Sequence, residues 1–277
     1  SQRRTPPSLV SWRGRAAADP ARHPSRLRST RLGGWFTTRR ATPPPDASVT
    51  IKMERCGIYE LTLTHNLQNS ETTNLHTHGL HISGDSANGI VSDNVWDVSL
   101  TNGQSQLYTF KIPCDHTTGT YWYHSHTHDT AAQLGEGLSG ALIVTDSANR
   151  EAIPQSILDM REYVVLAQQA GSYVTNGQVK DTVSMAVGEW VRFRVVHSAV
   201  RSAAEFTISS GCEVKLLAKD GIYVSPAPRT VESFFIGTMA SRADVAVRCT
   251  SPGTFSVTGG AELDLVVSGA CSSGYCG

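Results

Sequence analysis

The chain has 277 residues, 24 Lys and Arg balanced by 24 Asp and Glu, and 39% hydrophobic residues. That length accommodates two domains of ordinary size, each with its own core. Neutral overall charge argues against a general nucleic-acid binder, and there is no run of the roughly 18 apolar residues that a membrane helix needs.

Residues 1–46 hold ten arginines and two aspartates, against 14 basic and 22 acidic groups in the rest of the chain. This Arg-, Ser- and Pro-rich stretch closes on Ala41-Thr42-Pro43-Pro44-Pro45-Asp46 and reads as a disordered leader. It is acid-poor like an organelle transit peptide and lacks the apolar stretch of a secretory signal. After it, short alternating β-branched runs recur. In order they are Ser48–Met53, Tyr59–His65, Leu107–Ile112, Thr120–His124, Gly140–Thr145 and Tyr163–Gln168, then Val191–Val196, Val214–Leu217, Ser233–Ile236, Asp244–Arg248 and Thr254–Thr258. Turn residues such as Asn102-Gly103, Asn176-Gly177 and Pro252-Gly253 separate them. The polar stretch Ser147–Ser156 divides the runs into residues 47–147 and 157–277. The pattern predicts an all-β chain of two tandem Greek-key sandwiches.

Two His-x-His pairs stand out in the first of these units, His76-Thr77-His78 and His124-Ser125-His126. Side chains two residues apart on a strand share a face, roughly 7 Å apart at about 3.3 Å rise per residue. Two such strands side by side aim four imidazoles at one space, and imidazole suits copper, zinc, iron and nickel. A metal site is the leading reading. His65, His116 and His197 read as loop or strand-end residues, and His81 and His128 as neighbours of the pairs.

Six cysteines (56, 114, 212, 249, 271 and 276) show no zinc-ribbon spacing. Cys212 with Cys249, and Cys271 with Cys276, are candidate disulfides. Free thiols remain the alternative.

The flanks of the histidine pairs carry a resemblance. Thr73-Asn74-Leu75-His76-Thr77-His78-Gly79-Leu80 resembles the first copper motif of multicopper oxidases. The run from Ile112-Pro113 through Gly119-Thr120-Tyr121-Trp122-Tyr123-His124-Ser125-His126 resembles the second, and Gln133 with Gly137–Val144 resembles the strand that follows. Gly188–Val196, Lys219-Asp220-Gly221 and Ser241–Val245 are similar to the middle domain of three-domain members. The resemblance implies two cupredoxin-like sandwiches, with copper ligands in 47–147 and none in 157–277. It implies that His76 ligates a type 2 copper and that His78, His124 and His126 ligate a type 3 pair. Asp93 takes the place of the family's catalytic acid in proton delivery, with Asp85 as competitor. The implied partners are dioxygen and a reducing donor, and the family favours a secreted or extracytoplasmic setting.

The family's His-Cys-His and His-x-x-His-x-His motifs are absent, and no histidine follows His197. A type 1 copper needs a Cys thiolate with two histidines. The expectation is therefore a partial oxidase with half of the trinuclear copper site, completed by a third cupredoxin domain on a longer chain or a partner. The alternative is a non-catalytic copper-binding or scaffold protein. A homo-oligomeric oxidase is disfavoured because identical chains cannot supply the missing motif, and cupin or zinc-hydrolase readings fit the flanks poorly. The family's opening strand is not recognisable before Glu60, which leaves an edge of the first sandwich open to question.

Overall fold

The computed structural model describes residues 10–17, 30–34, 50–67, 69–85, 90–170, 172–200, 203–226, 228–231 and 234–271. The first sandwich contains β1 (Val10–Ala17), β2 (Thr30–Gly34), β3 (Ile51–Glu54), β4 (Ile58–Thr64), β5 (His76–His78), β6 (Ser105–Lys111), β7 (Gly119–His124) and β8 (Ser139–Thr145). One sheet runs β2-β1-β4-β6 and the other β3-β8-β7-β5. β1 and β2 arise within the segment expected to be a leader. They pair with each other, and β1 also lies antiparallel to β4. The remainder of 1–49 lies outside the described residues.

Alternation builds this core. Leu61 and Leu63 from β4, with Tyr108 and Phe110 from β6, meet Met53, Tyr121, Tyr123, Leu142 and Val144 from the opposite sheet. β7 is buried along its whole length because both of its faces are covered. Its outward Trp122 joins Ala141 and Leu134 against Leu166 and Val196 of the second sandwich. β3 lies parallel to β8 and supplies the sheet edge that lacked a recognisable family strand.

The second sandwich holds β9 (Arg161–Ala170), β10 (Ser172–Thr175), β11 (Asp181–Val187), β12 (Val191–Ser198), β13 (Ala204–Ile208), β14 (Cys212–Lys219), β15 (Ile222–Tyr223), β16 (Arg229–Val231), β17 (Phe234–Gly237), β18 (Arg242–Cys249), β19 (Gly253–Thr258) and β20 (Leu263–Ala270). One sheet runs β10-β9-β12-β18-β14-β15, with β16 also on β14, and the other β11-β20-β19-β13-β17. Val165, Phe193, Val195, Phe206, Val245 and Leu265 are among its core. Among the described residues two short helices, α1 (Thr130–Gly135) and α2 (Gln155–Leu158), accompany the sheets, α2 starting inside the predicted divide. Among the described residues no helix is long and apolar enough to cross a membrane.

Cys212 and Cys249 face each other across β14 and β18 and form the disulfide that the sequence offered. A second disulfide joins Cys56 to Cys114 across 58 residues and was not anticipated. The Cys271–Cys276 pairing reaches a residue outside the described ones.

Backbones of the two sandwiches touch where β7 begins. A Cβ added at Gly119 would sit 2.6 Å from the Gly221 carbonyl oxygen, so only glycine permits this approach.

Candidate metal centre

The two His-x-His pairs meet because β5 and β7 are antiparallel neighbours, with His76 opposite His124 and His78 opposite Trp122. Ring centroids of His76 lie 5.4, 5.1 and 5.2 Å from those of His78, His124 and His126. Ligand atoms of His76, His78 and His124 all fall within 4.8 Å of one another. His126 stands beside them at the exposed rim, its ring 6.2 Å from that of His124.

Neighbouring acceptors set the tautomers. His124 Nδ1 donates to the Ser125 carbonyl at 2.6 Å, which leaves its Nε2 with a lone pair. His78 Nδ1 then donates to that Nε2 at 3.2 Å, a proton that a metal ion would displace. His76 Nδ1 donates to Asp93 Oδ2 at 3.0 Å, turning its Nε2 into the free donor atom. The other oxygen of Asp93 accepts the Thr77 amide at 2.8 Å, so one carboxylate orients both ring and strand. Asp85 lies on the exposed loop, where its amide bonds Ser83 Oγ. Of the two aspartates weighed, Asp93 is the one hydrogen-bonded to a histidine of the cluster.

Burial and crowding favour the neutral form of His78 and His124. Burial, then His76, pushes His124 down to about 3, although its bond to Ser125 opposes this. Burial, then His76 and Arg242, pushes His78 down to about 4. Neutral imidazole is the form that binds metal. The same shifts bear on folding. Below about pH 6.5 the unfolded chain takes up protons that the metal-free folded site refuses, so stability falls as pH drops toward about 4. The acid-induced drop in unfolding midpoint is expected to shrink in a His78→Gln/His124→Gln variant. An unchanged drop would mean these rings do not drive it.

Several supporting residues had no role assigned from sequence. Asn74 ties the two ligand strands together: its Nδ2 donates to the carbonyls of Val95, Val98 and His126, and its Oδ1 accepts the His126 amide at 2.6 Å. Gln133 on α1 bridges the Thr73 hydroxyl and the Thr72 carbonyl just upstream. The motif residue Asn74 was visible in the sequence, but its partners are distant along the chain. Trp122 stacks on His124, with ring centroids 4.2 Å apart. Three further histidines bond backbone groups, although the buried Nε2 of His197 has no partner among the described residues. His65 is buried and bonds the Glu71 carbonyl. His116 donates to Thr117 and accepts the His81 amide. His197 bonds the Thr238 carbonyl.

Residues 48–149 and 115–264 each match a multicopper oxidase family model. The chain belongs to the multicopper oxidase family. It is 26% identical over 206 residues to the iron transport multicopper oxidase FET5 of Saccharomyces cerevisiae, covering 66% of this chain and 32% of that protein. It is also 26% identical over 196 residues to Laccase-1 of Thanatephorus cucumeris, covering 60% and 32%. The chain thus spans about a third of the length of these curated relatives. Its fold is similar to that of the laccase-like multicopper oxidase CueO from Ochrobactrum sp., with a TM-score of 0.68 at 18% identity, over 97% of this chain and 62% of that one. A second oxidase, mgLAC, gives 0.66 at 18% identity, over 82% and 78%.

Membership in the multicopper oxidase family implies copper, and the donor set suits it. Three imidazoles converge, and carboxylate or carbonyl acceptors hold the Nδ1 protons of His76 and His124, leaving their Nε2 lone pairs for a metal.

Proposed function

We propose that this chain is the two-sandwich portion of a multicopper oxidase, holding copper through His76, His78, His124 and His126. Joined to the remaining ligands, it takes part in oxidising a reducing donor while dioxygen is reduced to water. The observation that carries this reading is the convergence of His76, His78 and His124 from two paired strands, with the Nδ1 protons of His76 and His124 held by acceptors outside the cluster. Copper, when bound, supplies one-electron redox chemistry and a place for dioxygen. The residues do the rest. His76 belongs to the type 2 position and the other three to the type 3 pair. Asp93 holds the Nδ1 proton of His76 and is the acid placed to move protons at this edge. The missing ligands and the type 1 copper come from a further cupredoxin domain, on a longer chain or a partner. Disulfides at Cys56–Cys114 and Cys212–Cys249 support an oxidising compartment.

Copper bound per chain, after loading under reducing and then aerobic conditions, tests this. Wild type is expected to bind stoichiometrically, and both His76→Ala/His78→Ala and His124→Ala/His126→Ala to lose the metal. Absence of specific copper in wild type would leave a non-catalytic two-sandwich scaffold as the better reading.

A further inference from the structure

The second sandwich carries no proposed ligand, yet one of its side chains reaches the turn that follows His78. Arg242 opens β18 and is 6% exposed. Its guanidinium donates to three carbonyls from three places: Nε to Thr120 at 3.3 Å, Nη1 to Ala240 at 3.0 Å and Nη2 to Asp220 at 3.0 Å. Asp220 Oδ1 also lies 3.5 Å from Nη1. The group faces the Tyr121 ring, 5.8 Å from its centroid. Thr120 and Tyr121 belong to β7, the strand that ends in His124.

The guanidinium also forms the wall behind His76-Thr77-His78-Gly79. A Cβ placed on Gly79 would sit 2.7 Å from Arg242 Nη2 and 3.5 Å from its Cζ. Gly79 has φ +90°, and the turn around it closes with the Leu80 amide on the Thr77 carbonyl at 3.3 Å. Glycine at 79 therefore answers two demands, a left-handed backbone and space for the arginine fork. One fixed cation touches the chain directly after His78 and grips the strand that carries His124.

We propose that Arg242 is a positioning residue for the metal centre, holding the His78 turn and β7 in register from the second sandwich. The inference rests on the copper reading above, but its metal-free part stands alone. Its charge, one residue from His78, also acts on any bound ion. A fixed positive charge disfavours Cu(II) relative to Cu(I), because the more highly charged ion is repelled more strongly. Lysine keeps the charge and loses the planar fork, whereas methionine loses both.

Three measurements on the full chain test this, with R242K, R242M and, as a control on the same strand, R248Q. Amide exchange at Gly79 and Leu80 in the metal-free protein is expected to speed up in R242K and R242M and to stay unchanged in R248Q. Copper affinity is expected to fall about tenfold or more in both Arg242 variants, the scale usual for residues that orient ligands. The ratio of Cu(II) to Cu(I) affinity is expected to rise in R242M and to hold in R242K, a split that general loosening would not produce. Should R242M fail to fold, R242K still reads exchange and affinity. Wild-type exchange and copper affinity in R242K would overturn the proposal. If wild type binds no copper, the functional reading fails, and exchange alone decides whether Arg242 holds the turn.

Discussion

Replacing Asp244 with alanine is expected to destabilise the protein by about 3–5 kcal/mol, the scale for removing one partner of a buried ion pair. Asp244 is 1% exposed. Its Oδ2 accepts from Arg192 Nε at 3.2 Å, from Arg192 Nη2, and from Arg194 Nη1 at 3.0 Å. Its other oxygen accepts the Thr120 hydroxyl from the first sandwich. Arg192 also donates to the Tyr223 hydroxyl at 2.7 Å, and Arg194 reaches Glu162. Burial alone would raise the Asp244 carboxyl, but Arg192 and then Arg194 outweigh it and hold the pKa below the ordinary value. Alanine would leave two buried guanidinium groups short of their main counter-ion. Urea unfolding of the variant measures the loss. A cost below about 1 kcal/mol, the range of exposed pairs, would mean that the network is not an interdomain anchor.

The second large effect is expected at Trp122. Its side chain is 2% exposed and stacks on His124, with its ring centroid 5.1 Å from that of His78. The same ring fills the space between Leu134, Ala141, Leu166 and Val196 at the domain boundary. Trp122→Ala is expected to cost about 3–5 kcal/mol through the cavity left behind. Copper binding should be lost with it, because the indole is stacked on His124 and also packs beside His78. Trp122→Phe separates packing from polarity. The indole Nε1 has no hydrogen-bond partner among the described residues, so phenylalanine sacrifices no bond seen there and should retain copper. Equal loss in both variants would mean that a smaller aromatic ring does not suffice and that the whole indole is required.

The eleven strands expected from alternation all appear, because each has enough residues for a period of two to show: Tyr59–His65 became Ile58–Thr64, and Asp244–Arg248 became Arg242–Cys249. What escaped was short or defined only by pairing. β5 is three residues long, and β11 with β20 form a parallel pair whose partners lie far apart along the chain. The four histidines and Asp93 were readable as a group because their motifs are local. The charge network was half visible. Arg192 and Arg194 alternate within an otherwise apolar strand and so share a face, but only the register places Arg194 opposite Asp244. Cys56–Cys114 and Arg242 beside Gly79 join segments that no spacing rule connects.

The antiparallel meeting of β5 and β7 has a consequence for how the centre comes into being. His78 and His124 touch although they lie 46 positions apart in the chain, so the cage exists only after a long-range strand pairing is made. Before that step the polypeptide presents two separate bidentate chelates on unpaired segments. Convergence of the imidazoles is thus a property of the assembled sheet and of neither segment by itself.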